Sequence, residues 1–134
     1  MKELQVEVIT PSKTALNIKA ESVTIPGTLG SFQVLFNHAP IISTFEIGVI
    51  KIVENGNVLL FATGGGTVDV VNNKILILAE SFETNDEIDA DRAEKALKRA
   101  KDRLSKKNQE IVDEQRAEAA LRRAINRLKF IGKY

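Results

Sequence analysis

The 134-residue sequence predicts an all-β N-terminal domain followed by a C-terminal antiparallel α-helical hairpin. Three observations carry this prediction. Apolar residues alternate with period two from residue 3 to about residue 79, the pattern of half-buried strands. From residue 89 onward the apolar spacing alternates between four and three, which lines one face of a helix. The helical segment is also written twice: Asp89–Leu104 aligned with Asp113–Leu128 matches at ten of sixteen positions, with a short polar link between the copies. Two like stripes joined by a short link predict helices folded back on each other.

Taken in order, Leu4, Val6 and Val8 alternate with Glu3, Gln5 and Glu7, and Thr10-Pro11-Ser12-Lys13 is a turn. Leu16 and Ile18 resume the alternation, and Val23 and Ile25 run into a turn at Pro26-Gly27. Phe32, Val34 and Phe36 form the next strand, which His38-Ala39-Pro40 ends because proline lacks the ladder donor. Ile50 and Ile52 lead to Asn55-Gly56, a strong hairpin signal, after which Val58, Leu60 and Ala62 carry the alternation back. Val68 and Val70 lead to a second tight turn at Asn72-Asn73, where asparagine tolerates positive φ. Ile75-Leu76-Ile77-Leu78 is apolar on both faces and reads as a buried strand. Short strands with frequent turns predict a sandwich or barrel.

The period changes between Glu80 and Ile88, so the domain boundary is placed there: residues 1–84 form the β domain and residues 85–134 the helical one. Asp86, Asp89 and Asp91 suit a helix N-terminus, where a carboxylate accepts from free N–H groups and complements the dipole. Asp113 fits the same role in the second helix, or Asn108 if that helix starts earlier. The predicted seam is Ala93, Leu97, Ala100 and Leu104 against Ala117, Leu121, Ala124, Leu128 and Ile131. Alanine allows close approach but buries little, at about 0.8 kcal/mol per CH₂, so the seam is expected to be weak.

Composition narrows the function. With 43% hydrophobic and 28% charged residues the chain has the make-up of a soluble globular protein. A net charge of +1 and helices without interleaved aromatics argue against nucleic acid as a partner. There is no cysteine, hence no disulfide or thiol chemistry. The polar start Met1-Lys-Glu-Leu does not fit a signal peptide, and no apolar run reaches the ~20 residues of a membrane span. The expectation is an intracellular protein without direct membrane insertion.

No catalytic residue and no metal site is expected. His38 is the only histidine and has no local nucleophile or orienting partner; it reads as a structural or interface loop residue. Gly64-Gly65-Gly66-Thr67 lacks the Lys-Ser/Thr and the helix of a phosphate loop; a bulge or close backbone approach is the better reading. The carboxylates from Glu80 to Asp91 lack the order of a calcium loop. Arg92, Arg99, Arg103, Arg116, Arg122, Arg123 and Arg127 leave three readings open. They form a solvated basic face, an anion site built by both helices, or a surface for an acidic protein partner.

Three segments, in this order, give the chain a strong resemblance to the epsilon subunit of bacterial F-type ATP synthases, and a looser one to the chloroplast form. They are Gly30-Ser31-Phe-Gln-Val-Leu-Phe-Asn-His38-Ala39-Pro40 followed by Gly48-Val-Ile-Lys-Ile; Gly65-Gly66-Thr-Val-Asp69-Val70; and Ile88-Asp89-Ala-Asp-Arg92-Ala93 followed by Ala-Leu-Arg-Arg-Ala-Ile-Asn-Arg-Leu near the end. The resemblance implies a ten-stranded sandwich with a helical hairpin. It also implies a non-catalytic central-stalk rotor subunit of a proton- or sodium-translocating synthase, bound to the gamma subunit and seated on the c-ring. The hairpin in that family folds against the sandwich or extends toward the catalytic alpha and beta subunits, where it restrains ATP hydrolysis.

In some bacterial relatives ATP is a regulatory ligand of the folded hairpin, and no cofactor is required. By resemblance, the ATP site falls on Ile88, Asp89, Arg92 and Ala93, with Glu83, Arg99, Arg123 and Arg127; the second-helix matches assume one extra residue in the link. Contact with the catalytic subunits falls on Arg116, Arg122, Arg123, Arg127 and Lys129, and the c-ring-facing loop carries Ser31 and His38. The family often has an acid where Ser31 stands, glycines at Gln33 and Asn37, and proline at Phe36. The implied location is peripheral, on the cytoplasmic face of the bacterial plasma membrane, within a hetero-oligomer. Two rival readings are a purely structural stalk adaptor whose hairpin never moves, and an anion-binding module unrelated to a rotary machine.

Overall fold

The computed structural model describes residues 2–106 and 110–134. The chain divides into two compact units, Met1–Thr84 and Asn85–Tyr134.

The first unit is a β-sandwich of two five-stranded sheets. One sheet is ordered β2-β1-β9-β8-β5, from Thr14–Ala20, Leu4–Ile9, Lys74–Ala79, Gly66–Val71 and Ile41–Phe45. The other is ordered β10-β7-β6-β3-β4, from Phe82–Glu83, Asn57–Thr63, Gly48–Glu54, Ser22–Ile25 and Phe32–Leu35. All pairings are antiparallel except that of β1 with β9. Leu4, Val6, Val8, Val68, Val70, Ile75 and Ile77 from one sheet meet Val23, Ile25, Val34, Ile50, Ile52 and Phe61 from the other in a single apolar core. The chain changes sheets at Glu21, whose N–H donates to the Val53 carbonyl at 2.8 Å as β2 gives way to β3.

Turn chemistry sets the register. Asn55 (φ 49°) and Gly56 (φ 78°) form the two-residue β6–β7 turn, and Asn72 (φ 49°) with Asn73 (φ 61°) form the β8–β9 turn. Positive φ at both central positions matches the right-handed twist of the flanking strands. The triple glycine is a close approach: a Cβ on Gly66 would overlap the Leu78 carbonyl oxygen on β9.

Several details depart from the sequence expectations. Val58 and Leu60 face outward and are 55% and 49% exposed, while Leu59 and Phe61 turn inward. The cause is the turn: Glu54 opposite Asn57 places Ile52 opposite Leu59 and Ile50 opposite Phe61, and directly opposed residues share a face. β9 is not buried on both faces, since Leu78 is 46% exposed beside fully buried Ile77. Phe36 lies beyond the end of β4. β5 and β10 fall outside the period-two alternation, and Phe82 of β10 stacks on Phe61 with centroids 4.2 Å apart.

The second unit is a 3₁₀ turn, Asn85–Glu87, followed by α1, Ala90–Leu104, and α2, Ile111–Phe130. The Asp89 side chain caps α1, accepting from the Arg92 N–H at 3.1 Å. Asp113 does not cap α2: Glu110 holds the N-cap position without a side-chain hydrogen bond, and Asp113 lies in the first turn. The alternative cap, Asn108, lies outside the described residues. Ala93, Ala100, Ala117, Ala124 and Leu128 are buried, and Leu97, Leu104, Leu121 and Ile131 are half-buried, so the predicted seam joins the helices. Among the described residues, no helix is long and apolar enough to cross a membrane.

Candidate functional site

Every arginine in the chain lies in the hairpin. On α1, Arg92, Ala96, Arg99 and Arg103 follow the spacing i, i+4, i+7, i+11, one residue before the seam positions Ala93, Leu97, Ala100 and Leu104. On α2, Arg116, Ala120, Arg123 and Arg127 stand in the same relation to Ala117, Leu121, Ala124 and Leu128. Each set therefore forms a stripe about 100° around its helix from the seam. In an antiparallel pair, the two-fold axis that exchanges the helices keeps each flank on its own side. The two stripes thus lie on the same side of the hairpin, with Ala96 and Ala120 among their six arginines.

The opposite flank is mixed in sign. Glu94 and Lys98 on α1, and Glu118 and Arg122 on α2, are i,i+4 pairs, and Lys129 extends that flank. Lys129 also sits 5.8 Å from the Tyr134 ring centroid. Charge is therefore segregated around the hairpin. Arg99–Arg103 and Arg123–Arg127 are like-charged i,i+4 pairs, each costing about 0.2–0.5 kcal/mol in an isolated helix. The guanidinium fork is the group that matches carboxylate and phosphate oxygens. Ala96 and Ala120, the small residues within the stripes, are both half-buried.

The structure sorts the predicted residues. Arg92, Arg99, Arg123 and Arg127 share the arginine flank, Arg92, Arg99 exposed and Arg123, Arg127 half-buried. Asp89 caps the helix that carries the first stripe. Ile88 and Ala93 are buried and shape the start of α1 without offering a polar group. Glu83 belongs to the first unit, on β10 opposite Ala62. The residues expected to meet the catalytic subunits split: Arg116, Arg123 and Arg127 lie on the arginine flank, Arg122 and Lys129 on the other. Arg103 and Arg116 share the arginine flank although the family motif does not include them, and the signal that finds them is the shared i, i+4, i+7, i+11 spacing.

Ser31 and His38 are not brought together. Ser31 precedes β4 and His38 follows it, so they flank opposite ends of a four-residue strand. The His38 loop is clipped to the β8–β9 turn, where the Asn37 N–H donates to Asn73 Oδ1 at 2.6 Å. Asn37 adopts φ 65°, supplying the left-handed conformation for which glycine is the default. His38 Nδ1 lies 2.7 Å from the Ala39 carbonyl oxygen.

A β-sandwich of two five-stranded sheets joined to an antiparallel helical hairpin with an arginine flank defines a two-unit, sandwich-plus-hairpin class of protein. The family model described as the ATP synthase delta/epsilon chain, beta-sandwich domain, matches residues 3–85, and that of the delta/epsilon chain long alpha-helix domain matches residues 86–132. The ATP synthase epsilon chain of Desulfitobacterium hafniense strain Y51 is 45% identical over 100 residues, covering 75% of this chain and 76% of that one. The epsilon chain of Carboxydothermus hydrogenoformans is 40% identical over 105 residues, 78% of each chain.

Among solved structures, a chain of the Euglena gracilis mitochondrial ATP synthase (OSCP/F1/c-ring) superposes with a TM-score of 0.75 at 19% identity, covering 91% of this chain and 77% of that one. A chain of the Tetrahymena thermophila mitochondrial ATP synthase central stalk and c-ring superposes with a TM-score of 0.67 at 20% identity, covering 98% and 97%. At such identities these two matches speak for the fold alone. The chain belongs to the ATP synthase delta/epsilon family, as an epsilon chain, a non-catalytic subunit of the ATP synthase complex.

Proposed function

We propose that this subunit works in the central stalk, where its sandwich couples the gamma subunit to the c-ring and its hairpin restrains ATP hydrolysis. The observation that carries the regulatory part is the convergence of Arg92, Arg99, Arg103, Arg116, Arg123 and Arg127 on one flank of an alanine seam. In the folded hairpin that flank binds ATP through its phosphates, with Asp89 ordering the start of α1. In the extended hairpin the same arginines, with Arg122 and Lys129 behind them, meet acidic groups of the alpha and beta subunits. Exposed Ile111 and Val112 at the start of α2 add an apolar contact there. One surface serving two ligands makes the states exclusive, so ATP favours the folded form by its differential affinity.

The sandwich supplies a stiff body through its close-packed core. Outward-facing Leu35, Val49, Val58 and Leu60 lie on one sheet and offer an apolar face to gamma. β4 is an edge strand, so a c-ring lying along that edge reaches both the Ser31 and the His38 loops. This reading places the subunit peripherally on the cytoplasmic face of the membrane.

Titration calorimetry of the full chain with ATP tests the nucleotide part. Arg123→Ala is expected to weaken binding at least about tenfold, the loss of one charge-assisted hydrogen bond. Absence of binding at millimolar ATP refutes the nucleotide switch. Deleting residues 85–134 is expected to raise hydrolysis by the assembled synthase, and unchanged hydrolysis refutes the restraint.

A further inference from the structure

The β6–β7 turn holds the only Asn-Gly pair in the chain, Asn55-Gly56. Glycine after asparagine is the sequence most prone to imide formation, because no side chain hinders the attacking backbone nitrogen. Nothing lies within 4 Å of the place a Cβ would take on Gly56, and Asn55, Gly56 and Asn57 are all exposed. Packing therefore does not protect the turn. One contact does: the Gly56 N–H donates to Glu21 Oε1 at 3.0 Å, from a residue 35 positions earlier where the chain changes sheets. We propose that Asn55 is a deamidation site held in check by the Glu21 carboxylate.

The chemistry closes without any oxidant or cofactor. The Gly56 amide loses its proton, and its nitrogen attacks Asn55 Cγ. The new N–Cγ bond forms as the Cγ–Nδ2 bond breaks, and ammonia departs with the proton. Water then opens the five-membered imide at either carbonyl, leaving aspartate or isoaspartate. The slow species is the amide anion, and Glu21 opposes it twice. Its carboxylate holds the proton in a hydrogen bond, and its negative charge disfavours a second negative charge beside it. A unit charge 3.0 Å away changes that equilibrium about tenfold even at the dielectric of bulk water.

The product does not fit the turn. Isoaspartate adds a backbone carbon to a two-residue loop whose register, Glu54 opposite Asn57, aligns the Ile52–Leu59 and Ile50–Phe61 core pairs. Either acid also places new negative charge beside Glu21 and Glu54. Deamidation is thus a one-way change that loosens the β6–β7 hairpin, and Glu21 sets its rate.

The test ages the intact chain and its Glu21→Gln and Glu21→Ala variants at mildly alkaline pH. Aspartate and isoaspartate at position 55 are quantified by peptide mass spectrometry and isoaspartyl methylation, with Asn72 and Asn73 as internal references. Both variants are expected to deamidate about tenfold faster at Asn55, with the references unchanged, and wild type in urea to lose its protection. Hydrogen exchange of the Gly56 amide, which passes through the same anion, is expected to accelerate in step while Leu59 and Phe61 amides stay protected, showing that the hairpin remains folded. Variants that deamidate at or below the wild-type rate while Leu59 and Phe61 stay protected overturn the proposal, as does a folded wild type that ages as fast as the chain in urea.

Discussion

Leu128→Ala separates the hairpin from the sandwich energetically. Leu128 is 1% exposed, and the other fully buried seam residues are Ala93, Ala100, Ala117 and Ala124. The four alanine methyls together contribute about 3 kcal/mol by burial. Truncating Leu128 removes three carbons, about 2.4 kcal/mol of transfer energy, and the cavity left behind adds to that. A loss of about 3 kcal/mol is expected, within the ~2–5 kcal/mol seen for such changes. One side chain therefore counts for about as much as all four alanines. The assay is native-state hydrogen exchange of the full chain, resolved by segment. Amides of residues 93–103 and 115–128 should exchange about 100-fold faster, since 1.4 kcal/mol corresponds to tenfold. The strand amides of β1, β6 and β9 should not change. Acceleration of less than about tenfold in the helices, or an equal loss of protection in the strands, refutes the view that a thin seam with one large anchor holds the hairpin.

Gly66→Ala drives a Cβ into the Leu78 carbonyl, which only a spreading of β8 from β9 relieves; at about 2 kcal/mol for overpacking, the sandwich should lose roughly 10 °C in Tm by calorimetry. Asn73→Gly keeps the positive φ but removes the acceptor of the Asn37 N–H, so the Asn37 amide should exchange about tenfold faster at a cost of about 1 kcal/mol. Unchanged exchange at Asn37 argues against a clip on the His38 loop.

Much of this protein was determined by its sequence acting locally. Period-two alternation in Leu4–Ile9 and Gly66–Val71, the Asn55-Gly56 turn and the repeated 93-97-100-104 and 117-121-124-128 stripes depend on neighbours within a few residues. Backbone sterics and helical geometry act over that distance, so strands, hairpins and seam were legible. The outward turn of Val58 and Leu60 was also within reach, because a two-residue turn dictates which residues oppose Ile50 and Ile52.

Other features were decided only by the tertiary structure. The parallel pairing of β1 with β9 joins strands about seventy residues apart, and no local propensity encodes it. The exposure of Leu78 depends on what covers the outer face of its sheet, and its apolar side chain looks the same in sequence whether covered or not. Ser31 and His38, near in sequence, are held apart by the extended β4, whereas Glu21 and Gly56 are distant in sequence and meet because β3 pairs with β6. The arginines show the division within a single feature. Their spacing along each helix is local, but their gathering on one flank follows from the antiparallel docking of α1 against α2, since only that symmetry carries both stripes to the same side.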